Sequence, residues 1–204
     1  MDGLILGGGF NPIHNGHLGC AKAVAQRMGF DRIVLIPCGC VPLPKSMPLA
    51  AAADRLEMCR RAILNFPYFA VDTSEIERPG PSFTIDTARQ LRQKGWEKIY
   101  WMIGADTVSQ LPSWHQAAAL LQEVHFVVVH RPGWALGWEK LPEPFRKLQQ
   151  NLVEGPLIPI SSSDIRRRVA AGESIHDLVP AEVECYILEH NLYRTQNAAT
   201  PAKG

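Results

Sequence analysis

The chain has 204 residues, 46% of them hydrophobic, and its 21 Lys plus Arg nearly balance 20 Asp plus Glu, for a formal charge of +1. That suits one globular domain with a full core, is short for two, and carries no broad basic face, so a dedicated nucleic-acid binder is disfavoured and any anion site must be local. No apolar run is long enough for a membrane span, no basic leader precedes the first strand, and Cys20, Cys38, Cys40, Cys59 and Cys185 form no CxxC pair, so a cytoplasmic protein with reduced thiols and no structural metal is expected.

The pattern predicts a short strand at residues 4–6, then a helix over 16–28 with Leu18, Ala21, Val24 and Ala25 on one face. A second strand follows at 32–36, a helix at 54–64, a third strand at 69–72 and a helix at 83–93, ended by Gly95. Strands at 99–103 and 124–129 complete the apolar runs, the latter β-branched as in a strand buried on both faces. Two stretches interrupt the alternation. Residues 37–53 contain Pro37, Pro42, Pro44 and Pro48 and read as a long loop; 131–159 are marked by Pro and Gly and are assigned one short peripheral helix. The βαβ order implies an α/β fold, a Rossmann-like doubly wound parallel sheet in a single domain over 1–194, with a frayed tail at 195–204. Ligands of such sheets bind beyond the carboxyl ends of the strands, where strand order reverses.

The run Gly7-Gly8-Gly9-Phe10-Asn11-Pro12-Ile13-His14-Asn15-Gly16-His17 follows the first strand. A dinucleotide fingerprint requires a third glycine where Pro12 stands, and no GK[ST] follows for a Walker loop. The glycines allow the backbone close to a ligand, and Asn15 is the expected N-cap of the helix. His14 and His17 then sit at a helix N-terminus, which disfavours cations and favours anions. Two imidazoles there make chemical sense if a polyphosphate lies between them; the alternative is that they cap or pack.

Residues Ile160-Ser161-Ser162-Ser163-Asp164-Ile165-Arg166 open a second helix that stops at Gly172. Ser161 and Asp164 have capping-box spacing. Three hydroxyls, open backbone amides and Arg166 one turn on also suit a second phosphate site, whereas Arg167 and Arg168 point elsewhere and are read as solvated.

GGGFNPIHNGH resembles the HxGH signature of the nucleotidylyltransferases, in the form used by nicotinate mononucleotide adenylyltransferases, and ISSSDIR resembles that family's ISSTxIR motif. The resemblance runs from Gly7 to Tyr193. It implies that Gly8, Gly9, Phe10, His14, His17, Ser161, Ser162, Ser163 and Arg166 surround ATP, with His14, His17 and Arg166 catalytic. PSFT resembles the family's PS[YF]T segment, which implies that Thr84 meets the nicotinate carboxylate; a helix cap at Ser82 or Thr84 is the structural alternative. The match of Asp106 to a GxD motif implies a place near the ribose hydroxyls, and that of Trp114 implies stacking on the nicotinate ring, against core packing as the alternative. Arg131 matches an arginine near the adenylate. Two departures stand out. Asn11 replaces the Asp usual in bacterial members, and Pro44 replaces the histidine of a PPHK segment whose lysine survives as Lys45, expected at a phosphate.

The implied reaction moves the adenylyl group of ATP to nicotinate mononucleotide, giving deamido-NAD and pyrophosphate in NAD biosynthesis. Mg²⁺ would be carried by the ATP phosphates, since the chain shows no carboxylate cage. The partners expected are ATP and nicotinate mononucleotide, without nucleic acid or membrane; a homo-oligomer stays open. Nicotinamide mononucleotide, or both substrates, is the alternative. Phosphopantetheine adenylyltransferases share the fold but carry TxGH and lack the match to Trp114. A nucleotide-binding sensor without catalysis is the reading from another class.

Overall fold

The computed structural model describes residues 2–40, 50–130 and 137–194. Lys45, Pro44, Arg131 and the tail at 195–204 therefore lie outside the described residues. Six strands form one sheet: β1 (Leu4–Gly8), β2 (Ile33–Pro37), β3 (Phe69–Val71), β4 (Tyr100–Gly104), β5 (His125–His130) and β6 (Leu152–Glu154). Every pairing is parallel and the order is β3-β2-β1-β4-β5-β6. The chain first winds outward from β1 to β3 and then crosses back to β4, so the order reverses between β1 and β4.

The helices are α1 (Asn15–Met28), α2 (Ala52–Ala62), α3 (Ser74–Glu77), α4 (Thr84–Gln93), α5 (Ala105–Val108), α6 (Ala117–Glu123), α7 (Ser162–Ala171) and α8 (Ala181–Glu189). Successive strand residues face opposite sides. Leu4 and Leu6 of β1 and Leu35 of β2 pack with Leu18 of α1, Met58 of α2, Ile165 of α7 and Ile187 of α8. Ile5 and the β2 residues Val34 and Ile36 pack instead with Ile85 and Leu91 of α4 and Leu120 of α6. Two apolar layers on a buried sheet explain why β2 reads as an unbroken apolar run rather than as an alternating one.

The expected elements are present with shifts at their ends, and the short helices α3, α5 and α6 were not expected. The 131–159 region holds, among its described residues, two 3₁₀ turns (Trp138–Lys140 and Phe145–Asn151) and the edge strand β6, in place of one helix. Strand β6 has only three residues, too few for a periodicity to show. Helix α8, buried through Val183, Tyr186 and Ile187, was not expected. Helix α7 ends as read, with Gly172 at φ 72° donating to Arg168 O and Val169 O.

Leu120 is fully buried between α6 and the sheet. Leu120→Ala should lower the unfolding free energy by about 2–5 kcal/mol in urea titrations, the range for a large-to-small change in a packed core. A loss under about 1 kcal/mol would mean that this layer collapses readily around the gap.

Candidate active site

The switch between β1 and β4 is where the first motif lands. Helix α1 starts just beyond β1, and its N-cap is His14, not Asn15 as expected. The His14 and His17 side chains form a reciprocal capping box: His14 Nδ1 accepts from His17 N, and His17 Nδ1 accepts from His14 N, both at 3.3 Å. Asn15 is otherwise engaged. Its Nδ2 donates to Asp177 O at 2.8 Å and its backbone N to Leu178 O at 2.9 Å, so it fastens α1 to the connection between α7 and α8.

The two imidazoles stack, with centroids 3.6 Å apart and planes 22° from parallel. Gly16 makes this possible. A Cβ there would lie 2.9 Å from His14 Nδ1, so the ring rests on the glycine between the histidines. Phe10, at φ 43°, turns its ring edge onto His17 at 5.3 Å.

Burial, with the charge of His17 as a second cause, pushes the His14 pKa down to about 3, and burial pushes that of His17 down to about 4. Both rings are thus neutral at neutral pH. With each Nδ1 accepting a backbone N–H, the ring proton resides on Nε2. The pair therefore offers a ligand two neutral Nε2–H donors at the positive end of a 14-residue helix.

The second motif meets the first. Ser161 caps α7, its Oγ accepting from Asp164 N at 3.1 Å. The reverse half of the expected capping box is not made, because Asp164 pairs with Arg167 and Arg168 at 2.8 Å each. Ser162 Oγ donates to Pro12 O at 2.9 Å, and Arg166 Nη1 donates to Asn11 O at 2.7 Å. Arg166 Nη2 also donates to Ser163 Oγ at 3.2 Å. Two helix N-termini, from opposite ends of the chain, thus converge on one place.

They border a cleft of about 450 Å³ lined by His14, Gly16, His17, Asp106, His130, Ser161 and Ser162, with Cys20, Val129, Pro156 and Ile158 on its apolar side. Asp106 arrives in the first turn of α5, its carboxylate folded over Gly104. Gly8 ends β1, and Gly9 and Phe10 lead into the turn at Asn11 and Pro12, which Arg166 ties to α7; Gly8, Gly9, Phe10, Ser163 and Arg166 are not among the residues lining the cleft.

Thr84 and Trp114 are not among the residues lining this cleft. Thr84 is the first residue of α4, whose N-cap is Phe83 with no side-chain bond, so neither Ser82 nor Thr84 caps the helix. Ser82 Oγ instead accepts from Gly39 N (3.0 Å) and Cys40 N (3.2 Å). Trp114 follows the 3₁₀ turn Leu111–Ser113 and packs, partly buried, on the α4/α6 layer. Phe83 and His115 stack at 4.3 Å beside these two residues, an aromatic pair that sequence spacing could not bring together. No group of three His, Cys, Asp or Glu able to hold a metal occurs among the described residues. No helix among the described residues is long and apolar enough to cross a membrane.

The sequence profile of the cytidylyltransferase-like family matches residues 5–168. A relative from Roseiflexus sp. described as a probable nicotinate-nucleotide adenylyltransferase is 43% identical, over 93% of this chain and 96% of its own. One from Dehalococcoides mccartyi with the same description is 40% identical, over 94% and 97%. Among solved structures, the nicotinic acid mononucleotide adenylyltransferase of Plasmodium falciparum complexed with NaAD aligns with a TM-score of 0.73. That alignment has 20% identity and covers 94% of this chain and 97% of the other, a likeness of fold.

The histidine environment predicts a pH dependence. Both folded-state pKa values lie below the unfolded 6.5, so on acidification the unfolded chain takes up protons first. The stabilisation is complete above about pH 6.5 and is lost as the pH falls toward 4 and then 3. Urea unfolding followed from neutral pH down to about 4.5 should show stability falling in the wild type and a flatter profile in the double variant His14→Gln/His17→Gln. Coincident profiles would mean that the rings titrate in the folded site as they do in the unfolded chain.

Proposed function

The chain belongs to the cytidylyltransferase-like family, together with curated relatives described as probable nicotinate-nucleotide adenylyltransferases, and from that premise we propose that it transfers the adenylyl group of ATP to nicotinate mononucleotide. The products are deamido-NAD and pyrophosphate, a step of NAD biosynthesis. One observation carries the reading at this chain's own residues: neutral His14 and His17 at the start of α1 stand beside the serine-bearing start of α7, the two joined by Ser162–Pro12 and Arg166–Asn11 hydrogen bonds. That is an anion site built from oriented donors, sized for the phosphates of a nucleotide.

ATP would enter as its Mg²⁺ complex, the ion riding on the phosphates and offsetting part of their charge. Its triphosphate lies between the two helix starts. The apolar wall of Cys20, Val129, Pro156 and Ile158 suits the adenine, and Asp106 faces the ribose hydroxyls. Thr84 and Trp114, with the Phe83–His115 stack, form the mononucleotide side: Thr84 donates to the ring carboxylate and the aromatic surfaces take the pyridinium.

The mononucleotide phosphate is already an anion, so no general base is required. It attacks the α-phosphorus in line; a P–O bond forms, the bond to the bridging oxygen breaks, and pyrophosphate leaves with the electron pair. His17 donates Nε2–H to the α-phosphoryl oxygens as charge builds there. His14, the α7 amides and serines, and Arg166 hold the β- and γ-phosphates. A neutral donor serves this step well, because no proton has to move between ring and phosphate.

The reading is tested by pyrophosphate release with ATP, Mg²⁺ and either nicotinate or nicotinamide mononucleotide. A preference for nicotinate mononucleotide of about 100-fold or more is expected, the discrimination available when a site's polar groups are left unpaired by the wrong ligand. Equal rates would make the enzyme dual-specific, and nucleotide binding without turnover would make the chain a sensor. In the same assay, His17→Ala should lower kcat about 10²–10³-fold with little change in KM, as for loss of a donor used chiefly in the transition state. A rise in KM alone would move His17 to ground-state binding.

A further inference from the structure

Arg55 carries an arrangement that the reaction scheme has not used. It stands in the first turn of α2 and is 3% exposed. Its guanidinium donates to three backbone carbonyls from three separate segments: Nη1 to Gly9 O at 2.8 Å, Nη2 to Gly39 O at 3.0 Å, and Nε to Ala50 O at 3.2 Å. Gly9 belongs to the turn behind the histidines, Gly39 to the exit from β2, and Ala50 to the approach to α2.

Each of these segments has a second tether. Ala50 N donates to Asn11 Oδ1 at 3.0 Å, so this residue is bonded through both its amide and its carbonyl. Gly39 N and Cys40 N donate to Ser82 Oγ, and Ser82 N donates to Cys40 O at 2.9 Å. Asn11 O and Oδ1 accept in turn from Arg166 and from Tyr193. Among the described residues, the guanidinium is the one side-chain group that bonds Gly9, Gly39 and Ala50 together.

Its position is energetically awkward. A cation in the first turn of a helix meets the unfavourable end of the dipole. Burying it without a carboxylate is costly, and among the described residues Arg55 forms no ion pair. Three charge-assisted bonds offset that cost, but an apolar side chain would fill the same space without it. What only arginine supplies is a planar fork with donors in fixed directions, together with a permanent charge.

We infer that Arg55 is a positioning residue of the phosphate site: it locks the Gly9 turn to the exit of β2 and the entry of α2, and its charge, in no ion pair among the described residues, lies behind the site that receives the polyphosphate. The inference rests on the assignment of that site to ATP. Lysine would keep the charge and lose the fork; methionine would lose both.

Arg55→Lys, Arg55→Met and Ser82→Ala should be compared with the wild type by calorimetric ATP binding, by kcat at saturating substrates, and by thermal melting, with assays well below the lowest melting point. Arg55→Lys should bind ATP within a few-fold of wild type yet lose about 100-fold in kcat, as expected when reacting groups are misplaced by an ångström or so. Arg55→Met should lose both affinity and kcat. Ser82→Ala, which loosens the same β2 exit and leaves Arg55 in place, should lose about tenfold in kcat, and it carries the test if the Arg55 variants do not fold. Wild-type kcat in folded Arg55→Lys, or in Ser82→Ala, overturns the positioning role. Equal ATP affinity in Arg55→Lys and Arg55→Met overturns the role of the charge. Should the wild type bind ATP and release no pyrophosphate, the reaction assignment fails, and the affinities alone decide the inference, their fall from wild type to Arg55→Met supporting it.

Discussion

The structure depends on bringing two helix N-termini to one point. A parallel sheet delivers α1 there directly, because α1 begins beyond the carboxyl end of β1, next to the strand-order reversal. The second terminus must return from the far end of the chain. The Ser162–Pro12 and Arg166–Asn11 bonds span 150 and 155 residues, and bonds over such separations hold only if the core fixes both ends. The layer containing Leu4, Leu18, Ile165, Val183 and Ile187 does so, seating α1, α7 and α8 against the same face of β1. The geometry of the candidate site is thus a consequence of one apolar layer.

Much of the fold was legible because long apolar runs alternate with helical periodicity, and a parallel α/β sheet is what such alternation permits. What escaped lay where no period has room to show. Strand β6 is three residues long, and the described part of the region before it forms 3₁₀ turns, whose tighter repeat differs from the helical pattern sought. Helix α8 was missed although its buried positions are regular. Nothing preceding it resembles a side-chain cap, since its N-cap is Pro180.

The two motifs of the candidate site could be read because their chemistry is contiguous in sequence. Their geometry could not. Asn15 has the residue type of an N-cap, yet a remote carbonyl at Asp177 takes its amide, and His14 caps in its place. That exchange fixes the ring tautomers, a detail invisible until the fold supplies Asp177 and Leu178. Ser82 likewise has the residue type of a cap and instead accepts from Gly39 and Cys40. Arg55 gave no signal, because an arginine in a helix otherwise reads as a solvated charge. Its three carbonyl partners, like the Phe83–His115 stack, are assembled by tertiary structure alone.

A chain of formal charge +1 binds a polyanion only if its positive potential is concentrated. Arg167 and Arg168, at the surface of α7, do not provide this, being paired with Asp164 and Glu173. Among the described residues, the groups placed to concentrate it are two helix N-termini, two neutral ring donors and the guanidinium groups of Arg55 and Arg166. Asn11 bears on that balance. Among the described residues, both side-chain bonds it makes, from Ala50 N and Tyr193 Oη, use Oδ1, and the buried Nδ2 has no partner. A carboxylate would accept the same two bonds. It would also place a negative charge against Arg166, which donates to the carbonyl of residue 11, and near Arg55, which donates to Ala50 O. The amide keeps the bonds that hold the turn and adds no negative charge beside the two guanidinium groups; an Nδ2 with no partner among the described residues is the structural cost of that neutrality.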